Sequence, residues 1–306
     1  MPRILASADI GSNTVHLLVA EVDGDLMSRI SDTNEWISLG EVVGRQKKIP
    51  PALADRLIKT LDTFRKHAAS TGAEGIYVFG TEAIRNASNQ EQVLKAIRMA
   101  TGIKVEIITG RREAELGLRG AWLDGQGHGS FLLTEVGGGS AQVASCSVNN
   151  KGKPTIGKES SLPIGTGTLI AKLGLDGPCT DHQYQELMST IDRALDELDL
   201  TPGRRLLACG GVARGVWKSL HPDGERVVNR AELEYLVWAA RRLAPDVLVD
   251  RFSVKPKRAA TLLPGAAVYH AVMRRSEVEE MTVSRFGVRE GAILEMSDGH
   301  IEPSRV

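Results

Sequence analysis

Two stretches of this chain repeat one pattern, and the repeat narrows the possible folds at once. In Ser7-Ala8-Asp9-Ile10-Gly11-Ser12-Asn13-Thr14 an apolar strand (Ile4 to Ala8) runs into an acid and a Gly/Ser/Asn/Thr turn, after which Val15 to Val22 reads as a second strand. Gly, Ser and Asn suit a tight hairpin because they tolerate positive φ or hydrogen-bond their own backbone. Such a turn aims several N–H groups into one concavity, a seat for phosphate oxygens, with Asp9 at its mouth for a divalent metal or a water. A single copy is equally well an ordinary hairpin with a polar tip. Glu135-Val136-Gly137-Gly138-Gly139-Ser140-Ala141-Gln142 supplies the second copy, between the strands Phe131 to Leu133 and Val143 to Val148. Two strand–turn–strand loops imply a duplicated α/β unit that closes on a phosphorylated ligand. They also exclude the P-loop and Rossmann patterns, in which the glycine turn opens a helix.

At 306 residues the chain is long enough for two domains. The glycine-rich Asp124-Gly125-Gln126-Gly127-His128-Gly129 is the best boundary, giving domains 1–124 and 125–306, with the last helix able to pack back on the first. Charge balances at 38 basic and 38 acidic residues, so any polyanion site must be a local basic lining. Aromatic residues make up 4%, too few for nucleic-acid stacking platforms. Cys146, Cys179 and Cys209 lack C-x-x-C spacing, which argues for a reducing compartment and against zinc. Asp9 interrupts the first apolar run, so no signal segment is expected. Thr261 to Met273 is too short for a membrane span and holds Pro264 and Gly265. A cytoplasmic protein without membrane or nucleic-acid partners is expected. There is no G-x-S-x-G, no H-E-x-x-H, and Gly210 to Ser219 has the wrong spacing for a Walker loop.

In chain order, Met27 to Leu39 reads as a third strand. Pro51 opens a helix carrying Leu53, Leu57, Leu61 and Phe64, and Gly72 stops it. Gly75 to Gly80 is a buried strand, with Arg85 just beyond its end, where α/β sheets gather ligands; a solvated arginine fits as well. Ser88 and Glu91 form a capping box for the next helix. Lys104 to Ile108 is a strand, and Thr109-Gly110 breaks into a helix on which Glu113, Leu116, Gly117 and Gly120 share a face. That face puts a carboxylate beside two glycines where a neighbouring backbone can approach, although charges in a first turn are commonly just solvated.

Asn149-Asn150-Lys151-Gly152 reads as a hairpin turn. The glycines of Gly165-Thr166-Gly167-Thr168 either contact phosphate or turn the chain, and helix signals fill Thr180 to Leu198. Leu206 to Gly211 is a strand ending in two glycines at a helix start, a third anion cradle, with Arg214 one turn inside. Ala231 to Leu248 reads as one long helix. Lys255, Lys257 and Arg258 cluster ahead of Leu262-Leu263-Pro264-Gly265, which opens a helix to Arg275; such a run is either a solvated face or a ligand channel. Met281 to Val283 is a last strand and Gly287 to Leu294 a last helix. Strands separated by helices give α/β layering.

Together these segments resemble the exopolyphosphatase and guanosine pentaphosphate phosphatase family of the actin, sugar-kinase and heat-shock chaperone superfamily. Asp9 to Thr14 is similar to its first phosphate loop, Gly80 to Ala87 to its Gly-Thr…Arg segment, and Thr109 to Ala114 to the segment that carries its catalytic glutamate, here Glu113. Glu135 to Ser140 resembles the second loop, Gly210 to Arg214 the late glycine turn, and Arg258 to Gly265 and Val283 to Glu290 the closing helices. Glu135 stands where the family usually has aspartate, Gln142 where it usually has glutamate, and Arg112 where many members carry a second acid.

The resemblance implies a duplicated ribonuclease-H-like, actin-like α/β fold with a cleft between two domains, and an Mg-dependent hydrolase of terminal phosphoanhydrides. Glu113 would activate the water and Arg85 clamp the phosphoryl group. Gly11, Ser12, Asn13, Thr14, Gly137, Gly138, Gly139, Ser140, Gly210 and Gly211 would bind phosphate. Asp9, Glu135 and Gln142 would hold the metal, and Lys255, Lys257 and Arg258 would line a polyphosphate channel. The implied substrate is inorganic polyphosphate or, as the sister activity, guanosine pentaphosphate, and a homodimer is expected. Because an amide cannot accept a proton as a base, Gln142 also leaves room for a weakly active or inactive sensor that only binds such polyanions.

Overall fold

The computed structural model describes residues 1–124, 129–150, 152–175, 177–198, 200 and 205–306. Four positions of the expected interdomain linker, 125–128, and Lys151 of the expected hairpin turn lie outside them. The chain divides into two compact units, Met1–Leu123 with Phe286–Val306, and Asp124–Arg285. The second unit ends at Arg285, and the segment Phe286–Val306, which holds the last helix, belongs to the first unit.

The first unit begins β1 (Arg3–Ile10), β2 (Thr14–Asp23), β3 (Leu26–Trp36), α1 (Leu39–Gln46) and α2 (Pro51–Ser70). It continues β4 (Ile76–Gly80), α3 (Glu82–Arg85), α4 (Gln90–Thr101), β5 (Val105–Ile107) and α5 (Gly110–Ala121). The second unit starts β6 (Ser130–Val136), β7 (Ala141–Val148), β8 (Pro154–Leu162), α6 (Thr166–Leu173) and α7 (Asp181–Leu195). It goes on through β9 (Arg205–Cys209), α8 (Gly210–Leu220), β10 (Val227–Asn229), α9 (Arg230–Ala240), α10 (Pro245–Phe252), α11 (Pro256–Arg275) and β11 (Glu280–Val283). Finally α12 (Val288–Ser297) rejoins the first unit.

The sheets run β3-β2-β1-β4-β5 and β10-β11-β9-β6-β7-β8. In both, the first three strands form an antiparallel meander and the next two add in parallel on its other side. Apart from the extra edge strand β10, the second sheet repeats the first. This is the duplicated ribonuclease-H-like, actin-like α/β fold.

Alternation along the strands decides what each face meets. Ala6, Ala8 and Ile10 of β1, with Val15, Leu17 and Val19 of β2, pack in one cluster with Leu57, Leu61 and Phe64 of α2. Leu5, Leu18 and Ala20 turn to the opposite face and pack with Leu116 of α5 and Ile293 and Leu294 of α12. Asp9 keeps the parity of Leu5, so its side chain lies on the α12 side of the sheet. There α5 and α12 cross at closest approach. A methyl on Gly120 would lie 2.0 Å from the Gly287 carbonyl oxygen, and one on Gly291 would lie 1.9 Å from that of Leu116. The glycine face expected around Glu113 is thus a backbone-to-backbone helix contact.

Several local expectations change. The Ser88–Glu91 box is not made: α4 starts at Gln90, and its cap residue Asn89 instead clasps Ile49, accepting from its N–H and donating to its carbonyl, each at 2.9 Å. The long helix from Ala231 breaks into α9 and α10, because Pro245 has no N–H to continue the ladder and is a good first residue of a new helix. Pro264 and Gly265 lie inside α11 rather than at its start, and Gly265 leaves room for Val212 of α8, whose Cγ1 a methyl would meet at 2.5 Å.

The chain passes between units at Leu123–Asp124 and at Arg285–Phe286. Asp124, its side chain 1% exposed, ties both connections together. It accepts from the Ser284 hydroxyl (2.7 Å) and the Arg285 amide (2.9 Å), and pairs with Arg226 (2.8 Å) and the Arg285 guanidinium (3.2 Å). Burial alone would raise this carboxyl, but those hydrogen bonds and charges outweigh it and hold the group below its ordinary range.

Two predictions follow from these contacts. Gly120→Ala should cost about 3 kcal/mol in urea unfolding, because the methyl meets immovable backbone, whereas Gly44→Ala, with open space around it, should add about 0.5–1 kcal/mol. Asp124→Asn keeps the shape but not the charge and should cost about 1–3 kcal/mol near neutral pH. With its native pKa depressed, the Asp124 carboxylate stabilises fully above about pH 4 and less as pH falls through the native value. The gap between Asp124→Asn and wild type should therefore close in acid melts, and a constant gap would refute this.

Candidate active site

The two acid–glycine loops are built alike. The Gly11 amide donates to the Thr14 carbonyl at 3.1 Å, and the Gly137 amide to the Ser140 carbonyl at 2.8 Å. Asp9 and Glu135 occupy matching strand positions, Asp9 opposite His16 and Glu135 opposite Gln142. Both acids lie within β1 and β6 rather than after them.

Behind each loop, the segment after the third strand of its meander takes up the loop carbonyls. Ile37 and Ser38 donate to Asn13 (2.9 Å each) and Gly40 to Ser12 (2.7 Å). In the second unit Thr166 donates to Gly137 (2.9 Å), Gly167 and Thr168 to Gly138 (2.7 and 3.1 Å), and Gly165 to Gly139 (3.1 Å). The Thr168 hydroxyl adds a bond to Gly139 at 2.8 Å. Neither reading of Gly165 to Thr168, phosphate contact or a simple turn, includes this role: the segment's amides brace the second loop. A methyl on Gly165 would lie 2.5 Å from the Ser140 nitrogen, so only glycine allows the contact. With the carbonyls occupied, the amides of Ser12 and Asn13, and of Gly138, Gly139 and Ser140, donate to no protein acceptor among the described residues. Each loop is a set of fixed, unfilled donors suited to an oxyanion.

The charged residues of the first unit that the sequence singled out lie on β1, on α3 after β4 and on α5 after β5. Arg85, half-buried on α3, donates to the Ile108 carbonyl at 2.6 Å, just ahead of α5. Thr109 caps α5 by accepting from the Arg112 amide, and Glu113, in the first turn, is half-buried. The Arg112 side chain binds Glu295 of α12 at 3.0 Å. Asp9 is paired with Arg289 at 3.3 Å and with His16 at 3.5 Å. Arg289 is 9% exposed and also binds Asp32 at 3.0 Å; burial would lower it, but Asp9, Glu290 and Asp32 together raise it.

In the second unit Gly210, at φ 87°, begins α8 against Glu135, and a methyl there would sit 2.7 Å from Glu135 Oε1. The Cys209 thiol lies 3.4 Å from Glu135 Oε2. Gln142, 2% exposed, directs its amide nitrogen at the Ser140 hydroxyl (2.9 Å) and the Ser161 hydroxyl (3.3 Å). Arg258 turns inward, its guanidinium where a methyl on Gly211 would be 3.0 Å away. Burial and then the charge of Arg214 pull Arg258 below its ordinary value. Lys255 and Lys257 stay exposed at the start of α11, so the three residues expected as one channel divide into a half-buried guanidinium and two surface ammonium groups.

Tyr269 and Arg289 escaped the sequence reading. The buried Tyr269 hydroxyl accepts from the Val136 amide (3.2 Å) and donates to the Cys209 carbonyl (3.4 Å), joining the strand ends that carry Glu135 and Gly210. Burial keeps this phenol neutral by raising it well above its usual value. A signal for Arg289 was present: Gly287-Val288-Arg289-Glu290 repeats Gly110-Arg111-Arg112-Glu113.

Among the described residues no three His, Cys, Asp or Glu side chains converge as a metal cage. Asp9 and Glu135 are hard oxygen donors of the kind Mg takes one or two at a time, with waters and substrate phosphates completing its shell. Their chemistry fits that ion, although Asp9 also serves Arg289. No helix among the described residues is long and apolar enough to cross a membrane.

Comparison with known proteins shows what the chain is similar to. Exopolyphosphatase 1 of Mycobacterium tuberculosis is 31% identical over 97% of this chain and 89% of its own length. An exopolyphosphatase structure from Cytophaga hutchinsonii superposes with TM-score 0.86 at 22% identity, covering 97% of this chain and 98% of that one. A Ppx/GppA family member from Aquifex aeolicus gives TM-score 0.84 at 21% identity, covering 99% and 100%. The pattern of the Ppx/GppA phosphatase family itself matches residues 18–300. The chain belongs to the Ppx/GppA phosphatase family.

Proposed function

We propose that this protein hydrolyses the terminal phosphoanhydride of inorganic polyphosphate and releases orthophosphate. The reading is carried by the duplicated donor loops, whose carbonyls are braced from behind and whose amides are left for an oxyanion. The 31% identity to a relative named exopolyphosphatase supports the choice of substrate. In this reaction the transition state spreads negative charge over the phosphoryl oxygens, so the protein contributes mainly positioning and electrostatics. The loop amides supply donors that need no rearrangement, and Arg85 adds a charge-assisted bond. Glu113 orients the attacking water and takes its proton, while the shortened chain departs with the electrons of the broken P–O bond. Asp9 and Glu135 are the carboxylates that would hold Mg, which when bound neutralises phosphate charge.

Phosphate release should be assayed with long polyphosphate, guanosine pentaphosphate and ATP, each with and without Mg. Metal-dependent release from polyphosphate is expected; turnover of guanosine pentaphosphate alone would move the assignment to the sister activity. Glu113→Gln, nearly isosteric, should lower kcat by about 10²–10⁴ and leave KM largely unchanged. Full turnover in that variant would remove Glu113 from the chemistry.

Affinity should also fall steeply with salt although the chain is neutral overall, since a bound polyanion sheds counterions as it pairs with local cations. Replacing Lys255 and Lys257 with alanine should raise KM for long chains more than for short ones. Equal effects on both lengths would place these lysines off the substrate's path.

A further inference from the structure

Gln142 stands opposite Glu135 in the β6–β7 register, and its surroundings give it a defined task. It is almost wholly buried, and its amide nitrogen lies 2.9 Å from the Ser140 hydroxyl and 3.3 Å from the Ser161 hydroxyl. An amide nitrogen has two protons to give and nothing to accept with, so both hydroxyl oxygens act as acceptors toward it. A serine hydroxyl has one proton of its own. Once its oxygen accepts from Gln142, that proton must point elsewhere. Ser140 closes the second loop, beside the amides of Gly138, Gly139 and Ser140, which donate to no protein acceptor among the described residues.

We propose that Gln142 is a positioning residue that fixes the Ser140 hydroxyl as one more hydrogen-bond donor to the substrate's phosphoryl oxygen. The proposal rests on the phosphate-binding reading of the second loop. It makes that loop a donors-only site, which fits a fully ionised phosphoryl group because its oxygens only accept. A carboxylate at position 142 would do the opposite. It would capture the Ser140 proton and place a second negative charge across from Glu135, against the incoming anion.

The test is a double-substitution cycle read by calorimetric binding of tripolyphosphate in metal-free buffer, with steady-state kinetics on long polyphosphate as a second arm. Ser140→Ala should weaken tripolyphosphate binding about 10-fold, the scale of one hydrogen bond to a charged oxygen. Gln142→Glu should weaken it at least as much and raise KM more than it lowers kcat. Adding Ser140→Ala to Gln142→Glu should then cost less than 2-fold more, because the hydroxyl proton has already been diverted. Gln142→Met keeps the volume without the donor and covers the case in which the carboxylate variant fails to fold. In that background the hydroxyl turns freely, so Ser140→Ala should cost clearly less than in wild type. If Ser140→Ala costs the same factor in every background, Gln142 does not direct the hydroxyl. If Gln142→Glu binds tripolyphosphate as well as wild type or better, the proposal also fails. If wild type binds no tripolyphosphate, the phosphate reading of the loop fails with it; binding with an additive cycle removes only the role of Gln142.

Discussion

Whether a glycine-rich hairpin attracts or repels an anion depends on which way its peptides face. Gly137 to Gly139 can rotate with little steric cost, and a flipped peptide would present a carbonyl in place of an N–H donor. What holds them is the row of hydrogen bonds from residues 165–168, which consumes every carbonyl of the glycine triplet. The first loop is held in the same manner by residues 37–40. Both braces need a glycine at the point of contact: Gly165 against the Gly139–Ser140 peptide, and Gly40 against Ser12, whose Cβ a methyl would meet at 2.7 Å. Four elements of each unit are therefore arranged around one requirement, that the loop carbonyls be bound from behind.

Duplication explains the architecture, and divergence explains the chemistry. The helices α5 and α12 follow equivalent strands and begin with the same Gly-x-Arg-Glu pattern, yet their glutamates have parted ways. Glu290 is 2% exposed, binds the Gly287 amide at 2.9 Å and pairs with Arg29 at 2.6 Å, so its charge is spent on holding the helix start. Glu113 stays half-exposed in the first turn of its helix, where a water can reach it. The arginines diverge too: Arg112 is neutralised by Glu295, whereas Arg289 reaches the first-loop acid. One glutamate is buried as support for its helix start, and the other is only half-buried.

Much of this was legible from residue order. The paired acid–glycine loops gave the duplicated sheets, because two copies of one strand–turn–strand pattern imply a repeated unit even though a single copy could be an ordinary hairpin. The helix from Pro51 was plain from its first-turn proline and apolar spacing. Less was legible where a signal was shared between two uses. Ser88 looked like a cap, but its neighbour Asn89 had a better partner 40 residues away in Ile49. Pro245 was overlooked because the apolar spacing carries on across it. Tyr269 sits in a run of apolar residues, and nothing local tells that its hydroxyl bridges the ends of β6 and β9. The segment Gly165 to Thr168 showed two candidate roles in the sequence, and the partners of its amides reveal a third, the bracing of the second loop.

Neutral net charge also hides where the usable charge lies. Most arginines near the described surfaces are bound by carboxylates: Arg119 by Asp25 and Asp298, Arg274 and Arg275 by Asp192, and Arg226 by Asp124. Arg258 differs. It is half-buried above Gly211, the charge next to it is that of Arg214, and both effects lower its affinity for its proton. A guanidinium that is partly desolvated next to a like charge is one that an anion would favour more than a fully solvated one. Long surface lysines such as Lys255 and Lys257 gain far less from the same anion, because water already screens them. A chain with no net charge can still hold fixed donors and, among the described residues, a cation that no carboxylate neutralises locally, and the global count of 38 against 38 is silent about them.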